Sequence, residues 1–95
     1  MIPVLVVVPT YNESESIRSL LTRLDAARKS ISEKFDIDIL LVDDDSPDKT
    51  ADIAKSMNLS RFSILNRNVK SGLGPAYLAG FKQGLIGNYQ YFVEM

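Results

Sequence analysis

The chain has no cysteine and no histidine. Without cysteine there is no disulfide frame, no thiol nucleophile and no cysteine zinc site. Without histidine the commonest general base and the commonest transition-metal ligand are both gone. Any chemistry therefore rests on Asp, Glu, Lys, Arg, Tyr and the backbone. Charge of one sign is also missing. Eleven Lys and Arg face twelve Asp and Glu, for a net charge of -1 and a pI near 5.3. No basic field exists to draw in nucleic acid or an anionic membrane surface. The apolar run from Met1 to Pro9 lacks a basic leader and a small-residue cleavage site. It is also far shorter than the roughly 20 residues of a membrane span. Repeats, linkers and low-complexity tracts are absent. What remains is 95 residues with 45% hydrophobic content, which fits one small folded domain.

The apolar pattern alternates between strand and helix. Val4 to Val8 is a continuous β-branched run, the signature of a strand covered on both faces, and Pro9 is expected to end it. Asn12 and Glu15 have capping-box spacing. The positions Ile17, Leu20, Leu21, Leu24, Ala27 and Ile31 then repeat at helical spacing. Ile37 to Val42 reads as a second strand, interrupted only by Asp38. Ser46 and Pro47 read as N-cap and first turn of a helix through Ile53, Ala54 and Met57, ending near Asn58. Phe62 to Leu65 is a third strand. Gly72-Leu73-Gly74-Pro75 opens a third helix with Pro75 at its first position, and Tyr77, Leu78, Phe81 and Leu85 form its expected core stripe. Gly87-Asn88 stops it, and Tyr89 to Glu94 is a fourth strand. The order β-α-β-α-β-α-β predicts an α/β fold with a doubly wound parallel sheet. If the order reverses after the third strand, giving 3-2-1-4, the tips of the first three strands line one crevice, where such sheets bind ligands.

Three stretches carry polar chemistry at those tips. Asp43-Asp44-Asp45 follows the second strand. An ionised carboxylate there accepts hydrogen bonds from a nucleobase imide or a ribose hydroxyl. Alternation sends Asp43 and Asp44 opposite ways, so they do different jobs, and spacing does not say which faces a ligand. A solvated turn at a helix entrance is the competing reading of the acids. Pro9-Thr10-Tyr11-Asn12-Glu13 follows the first strand. Asn12 fits a helix cap, while Tyr11 could stack on a base and Glu13 could accept from a nucleotide. Lys70-Ser71-Gly72-Leu73-Gly74 follows the third strand and could approach phosphate. It is neither a Walker A loop nor the dinucleotide fingerprint, since Tyr77 stands where the last glycine would be.

Together with Val42 through Thr50 and Arg67 through Tyr77, these stretches resemble the family 2 glycosyltransferases, most closely the dolichol-phosphate or polyprenol-phosphate mannosyltransferases. The resemblance implies a Rossmann-like, GT-A fold and transfer of a sugar to a polyprenyl phosphate acceptor. The donor it implies is GDP-mannose, or a UDP-sugar in sister enzymes. By position, Pro9, Tyr11 and Glu13 match residues that hold the donor nucleotide. Val42 and Asp44 match residues at the base, with Asp44 as its hydrogen-bonding carboxylate. Arg67 and Lys70 fall where diphosphate or structural contacts belong. The resemblance also implies an Asp-x-Asp motif binding Mg²⁺ or Mn²⁺ just after Met95. Residues 1–95 are thus expected to be the N-terminal half of a GT-A domain, inactive alone, with the parent at the cytoplasmic face of a membrane. Two other classes compete. A phosphoacceptor receiver domain shares the paired acids after a strand, but here the next strand ends in Asn66-Arg67. A binding or assembly module would self-associate through the open edge of the fourth strand.

Overall fold

In a computed structural model, the described residues are 1–43, 48–67, 73–85 and 87–94, with the backbone alone for 73–77. Four strands run β1 (Ile2–Thr10), β2 (Phe35–Asp43), β3 (Phe62–Asn66) and β4 (Tyr91–Glu94). Three helices connect them: α1 (Ile17–Ser30), α2 (Thr50–Ser56) and α3 (Leu73–Leu85). All pairings are parallel and the sheet order is β3-β2-β1-β4. The expected doubly wound topology is therefore present.

Side-chain alternation splits the sheet into two apolar faces. Val6, Val8, Ile39 and Leu41 pack with Ile17 and Leu21 of α1 and Ala54 of α2. Leu5, Val7, Leu40 and Val42 face the other way, with Phe81 of α3 and Phe92 of β4 packed against them. Because both faces are covered, the central strands read as unbroken apolar runs rather than as alternating ones.

β1 does not stop at Pro9. It continues to Thr10, and Pro9 pairs in register with Val42. The described pairing of β4 with β1 runs as far as Val7 opposite Glu94, so on that side proline's missing N–H interrupts no described ladder. The expected capping box on α1 is not formed: the helix begins at Ile17, and its N-cap Ser16 makes no side-chain cap bond. Ser46 and Pro47 lie outside the described residues, and the described α2 starts only at Thr50 after a left-handed Lys49. Pro75 is the third helical residue rather than the first. That still lies within the opening turn, where an N–H has no helical partner. β4 starts at Tyr91, two residues later than expected.

The expected stripe on α3 is the largest correction. Leu78 and Leu85 are 60% and 71% exposed, Phe81 packs on the core, and the Tyr77 side chain lies outside the described residues. Gly80 and Gly84 lie against the sheet. A Cβ on Gly80 would run into Val7 and lie 3.2 Å from Val42, and one on Gly84 would lie 2.6 Å from Leu5. Bare backbone is what lets the helix rest on the strands. At about 100° per residue, Leu78 then falls about 200° from Gly80, on the far side. On α1, Ile31 at the helix end and Ala27 are likewise exposed, while Ile17 and Leu21 make the contact.

The interruption at Asp38 has a structural cause. Tyr89, just before β4, donates its phenol to Asp38 at 2.5 Å. Arg61, just before β3, bridges Asp38 and Asp36 at 2.8 Å each. This belt ties the starts of β2, β3 and β4 together at the end of the sheet opposite the strand tips. Burial and the neighbouring Asp38 carboxylate push the Tyr89 phenol from 10.0 up to about 12. A raised phenol value favours the folded state below pH 10 and loses that contribution as pH climbs from 10 to 12. Two pH units correspond to about 2.7 kcal/mol, which solvent screening around a half-exposed ring reduces to about 1 kcal/mol. Tyr89→Phe is accordingly expected to cost about 1 kcal/mol in denaturant unfolding at pH 7. The deficit should shrink toward pH 12, and equal stabilities at pH 7 would contradict the belt.

Candidate functional site

The carboxyl tips of β1, β2 and β3 meet. Thr10 pairs with Asp43, and Asp43 with Asn66. The Thr10 hydroxyl donates to Asp43 Oδ1 at 3.0 Å, a bond buried between neighbouring strands. The Arg67 amide donates to the Asp43 carbonyl at 2.8 Å. Asp43 is 2% exposed. Its side chain lies on the α1/α2 face with Thr10, so what it does most directly is hold two tips at fixed spacing. Val42 is fully buried on the opposite face, against α3.

The loop after β1 is fastened by the segment after β2. Glu13 N–H donates to Thr50 Oγ1 at 3.0 Å, and Ser14 N–H donates to Asp48 Oδ2 at 3.0 Å. Thr50 in turn donates its hydroxyl to Asp48 Oδ1 at 2.5 Å and its amide to the same oxygen at 3.2 Å. The Glu13 carbonyl accepts from Ile17 N–H at 2.8 Å, and so continues the helical ladder backwards. Free donors at the entrance of α1 are thus met by Asp48 and Thr50, in place of the local capping box. A carboxylate at a helix entrance also suits the dipole. The Thr50 hydroxyl, with the Ser14 and Thr50 amides, holds the Asp48 carboxyl below its ordinary value of 3.8. It is ionised throughout the neutral range.

Of the residues singled out in the sequence, Pro9, Tyr11, Glu13, Val42, Asp43 and Arg67 all sit at this one end of the sheet. Pro9, Tyr11 and Arg67 are half-buried and Glu13 is exposed. The Glu13 carboxylate accepts from the Ser16 hydroxyl at 3.2 Å and is otherwise presented at the surface of the loop. Asp44 and Lys70 lie outside the described residues. Thr10, Ser14, Asp48 and Thr50 are contributors to which the sequence pattern assigns no role. The Asp48-x-Thr50 spacing is a legible local turn signal. Its attachment to Ser14 and Glu13, 34 and 37 residues away, is not legible.

A divalent cation needs several oxygen ligands on one point. Among the described residues no group of three His, Cys, Asp or Glu side chains converges. Asp43 is occupied by Thr10, and Asp48 by amides and a hydroxyl. The described side chains do not fit a metal centre. Among the described residues, no helix is long and apolar enough to cross a membrane.

Residues 5–85 match the model of Glycosyl transferase family 2. The chain is 46% identical over 94 residues to an undecaprenyl-phosphate mannosyltransferase of Micrococcus luteus, covering 97% of this chain and 36% of that protein. It is 42% identical over 94 residues to a polyprenol monophosphomannose synthase of Mycolicibacterium smegmatis, covering 96% of this chain and 33% of that protein. A dolichol-phosphate mannosyltransferase of Pyrococcus furiosus is 37% identical over 80 residues, covering 82% of this chain and 21% of that protein. The chain thus spans about a third or less of these relatives. The family match sets the phosphoacceptor alternative aside.

Proposed function

Because the chain belongs to glycosyl transferase family 2, we propose that its strand tips form the donor-nucleotide part of an enzyme that transfers mannose from GDP-mannose to a polyprenyl phosphate. The observation that carries this reading is the meeting of three strand tips, joined through Asp43 to Thr10 and Arg67, with Tyr11 and Glu13 on the adjoining loop. Tyr11 would stack on the base and Glu13 accept from the nucleoside. Asp44 would read the base edge, and Arg67 and Lys70 would balance the diphosphate. Asp43 and Val42 would serve from below, by fixing the tips and the backbone on which the base rests.

In the transfer, an acceptor phosphate oxygen bonds to the anomeric carbon while the bond from that carbon to the donor diphosphate breaks. The acceptor phosphate is already anionic near neutral pH, so a chain without histidine is no obstacle. Family 2 enzymes generally use a divalent metal, and we place its ligands outside the described residues. We place the whole enzyme at the cytoplasmic face of a membrane, where a polyprenyl phosphate is held.

Calorimetric titration of this chain with GDP, GDP-mannose, UDP and UDP-glucose tests the reading. Guanine nucleotides should bind more tightly than uracil ones. Mixed with GDP-mannose, Mg²⁺ and a polyprenyl phosphate, the 95-residue chain should form no product above a blank. No binding by any of the four ligands would overturn the nucleotide assignment. Product would overturn the placement of the metal ligands.

A second property also has support. β4 pairs with β1 along one side only among the described strands, and its Tyr91 and Val93 are 54% and 41% exposed. They border an apolar groove of about 520 Å³ lined also by Ile2, Val4 and Phe35. An unpaired apolar edge recruits other strands. We expect concentration-dependent self-association in light scattering, reduced by Val93→Lys. A monomer at high concentration would contradict it.

A further inference from the structure

The loop that would receive the nucleotide is held by two side chains to which no ligand contact is assigned above. The Thr50 hydroxyl is fully buried and does two jobs at once, accepting from Glu13 N–H and donating to Asp48. Both Asp48 oxygens are engaged, one by Ser14 N–H and the other by Thr50. The backbone on each side is bent against preference. Asn12 has φ 55 and Lys49 has φ 65, the left-handed region that residues other than glycine adopt at a cost. A local cap on α1 would have satisfied the helix without involving the second loop. The bonds that are present instead tie Glu13 and Ser14 to Asp48 and Thr50.

We propose that Asp48 and Thr50 are positioning residues that set the Tyr11–Glu13 loop in its nucleoside-diphosphate-receiving geometry before the ligand arrives. This rests on the donor-nucleotide reading. A loop ordered in advance binds more tightly, because the ordering is not charged against the ligand.

The chemistry of the pair dictates the variants. Thr50→Val keeps the shape and removes both the donor and the acceptor, while Thr50→Ser keeps both. Asp48→Asn keeps the size but turns one of two accepting oxygens into an NH₂ group, which cannot accept from Ser14 or Thr50. GDP affinity is measured by calorimetry well below each variant's melting temperature, and amide exchange is read without nucleotide. In Thr50→Val and Asp48→Asn, the Glu13 and Ser14 amides should exchange at least tenfold faster and GDP should bind about tenfold more weakly. Thr50→Ser should match the parent chain. Tyr89→Phe, destabilised at the far end of the sheet, should bind GDP unchanged, which separates positioning from general loss of stability. Should Thr50→Val fail to fold, Asp48→Asn decides alone, since Asp48 is only partly buried. Faster Glu13 and Ser14 exchange with GDP affinity within twofold of the parent chain would overturn the positioning role and leave the donor reading intact. A parent chain that binds neither GDP nor UDP would remove both.

Discussion

Gly80→Val is expected to cost about 3 kcal/mol or more and to lower the melting temperature by roughly 15–25 °C. The added Cβ would overlap Val7 and crowd Val42, and both neighbours are fully buried at the centre of the sheet. Their β-branched side chains are stiff at χ1 and close-packed, so they have little room to turn. The helix must lift, and the contacts of Phe81 with the same face go with it. Gly80→Ala sets two effects against each other. Alanine favours a helix over glycine by about 1 kcal/mol, while overpacking costs about 1–3 kcal/mol. The packing cost should win. Gly84→Ala should be milder, because its neighbours are the far ends of Leu5 and the half-buried Phe92 ring, which can rotate. Denaturant unfolding of the three variants checks the order. A stabilised Gly80→Ala would mean that α3 does not rest on β1 as described.

Tyr11→Ala is expected to weaken GDP binding by about tenfold or more, since an aromatic ring under a base contributes about 1–3 kcal/mol. Affinity should fall by more than stability, because Tyr11 lies in a loop and is only half-buried. Glu13→Ala should act in the same direction through the ribose or base. It is a clean probe, because the link to Thr50 runs through the Glu13 backbone amide and survives the substitution. Glu13→Ala should therefore leave amide exchange at Ser14 as it was while GDP affinity falls. Unchanged affinity in both variants would move the nucleotide away from this loop.

Sequence periodicity carried the fold because both sheet faces are apolar and the helices alternate with them. The alternation of strands and helices follows from that pattern, while the convergence of Pro9, Tyr11, Glu13, Asp43 and Arg67 also needs the order to reverse after the third strand, as it does. Helix faces were less legible. On α3 the large apolar residues Leu78 and Leu85 look like a core stripe, yet close packing selected Gly80 and Gly84, which carry no hydrophobic signal at all. The entrance of α1 misled for a related reason. Asn12 and Glu15 have the local spacing of a cap, but the donors are met by Asp48 and Thr50 from another loop. Asp38 interrupts an apolar strand, and its reason lies in Tyr89 and Arg61, which bind it from other segments. Each miss is a contact between residues far apart in the chain, which spacing along one element does not encode.

Amide NMR titration of the 95-residue chain with GDP tests the central claim most directly. The account predicts perturbations at residues 10–14, 43, 48–50 and 66–67, with Asp36, Asp38, Arg61 and Tyr89 unmoved at the opposite end. Perturbations centred on that far belt, or none at saturating GDP, would contradict it.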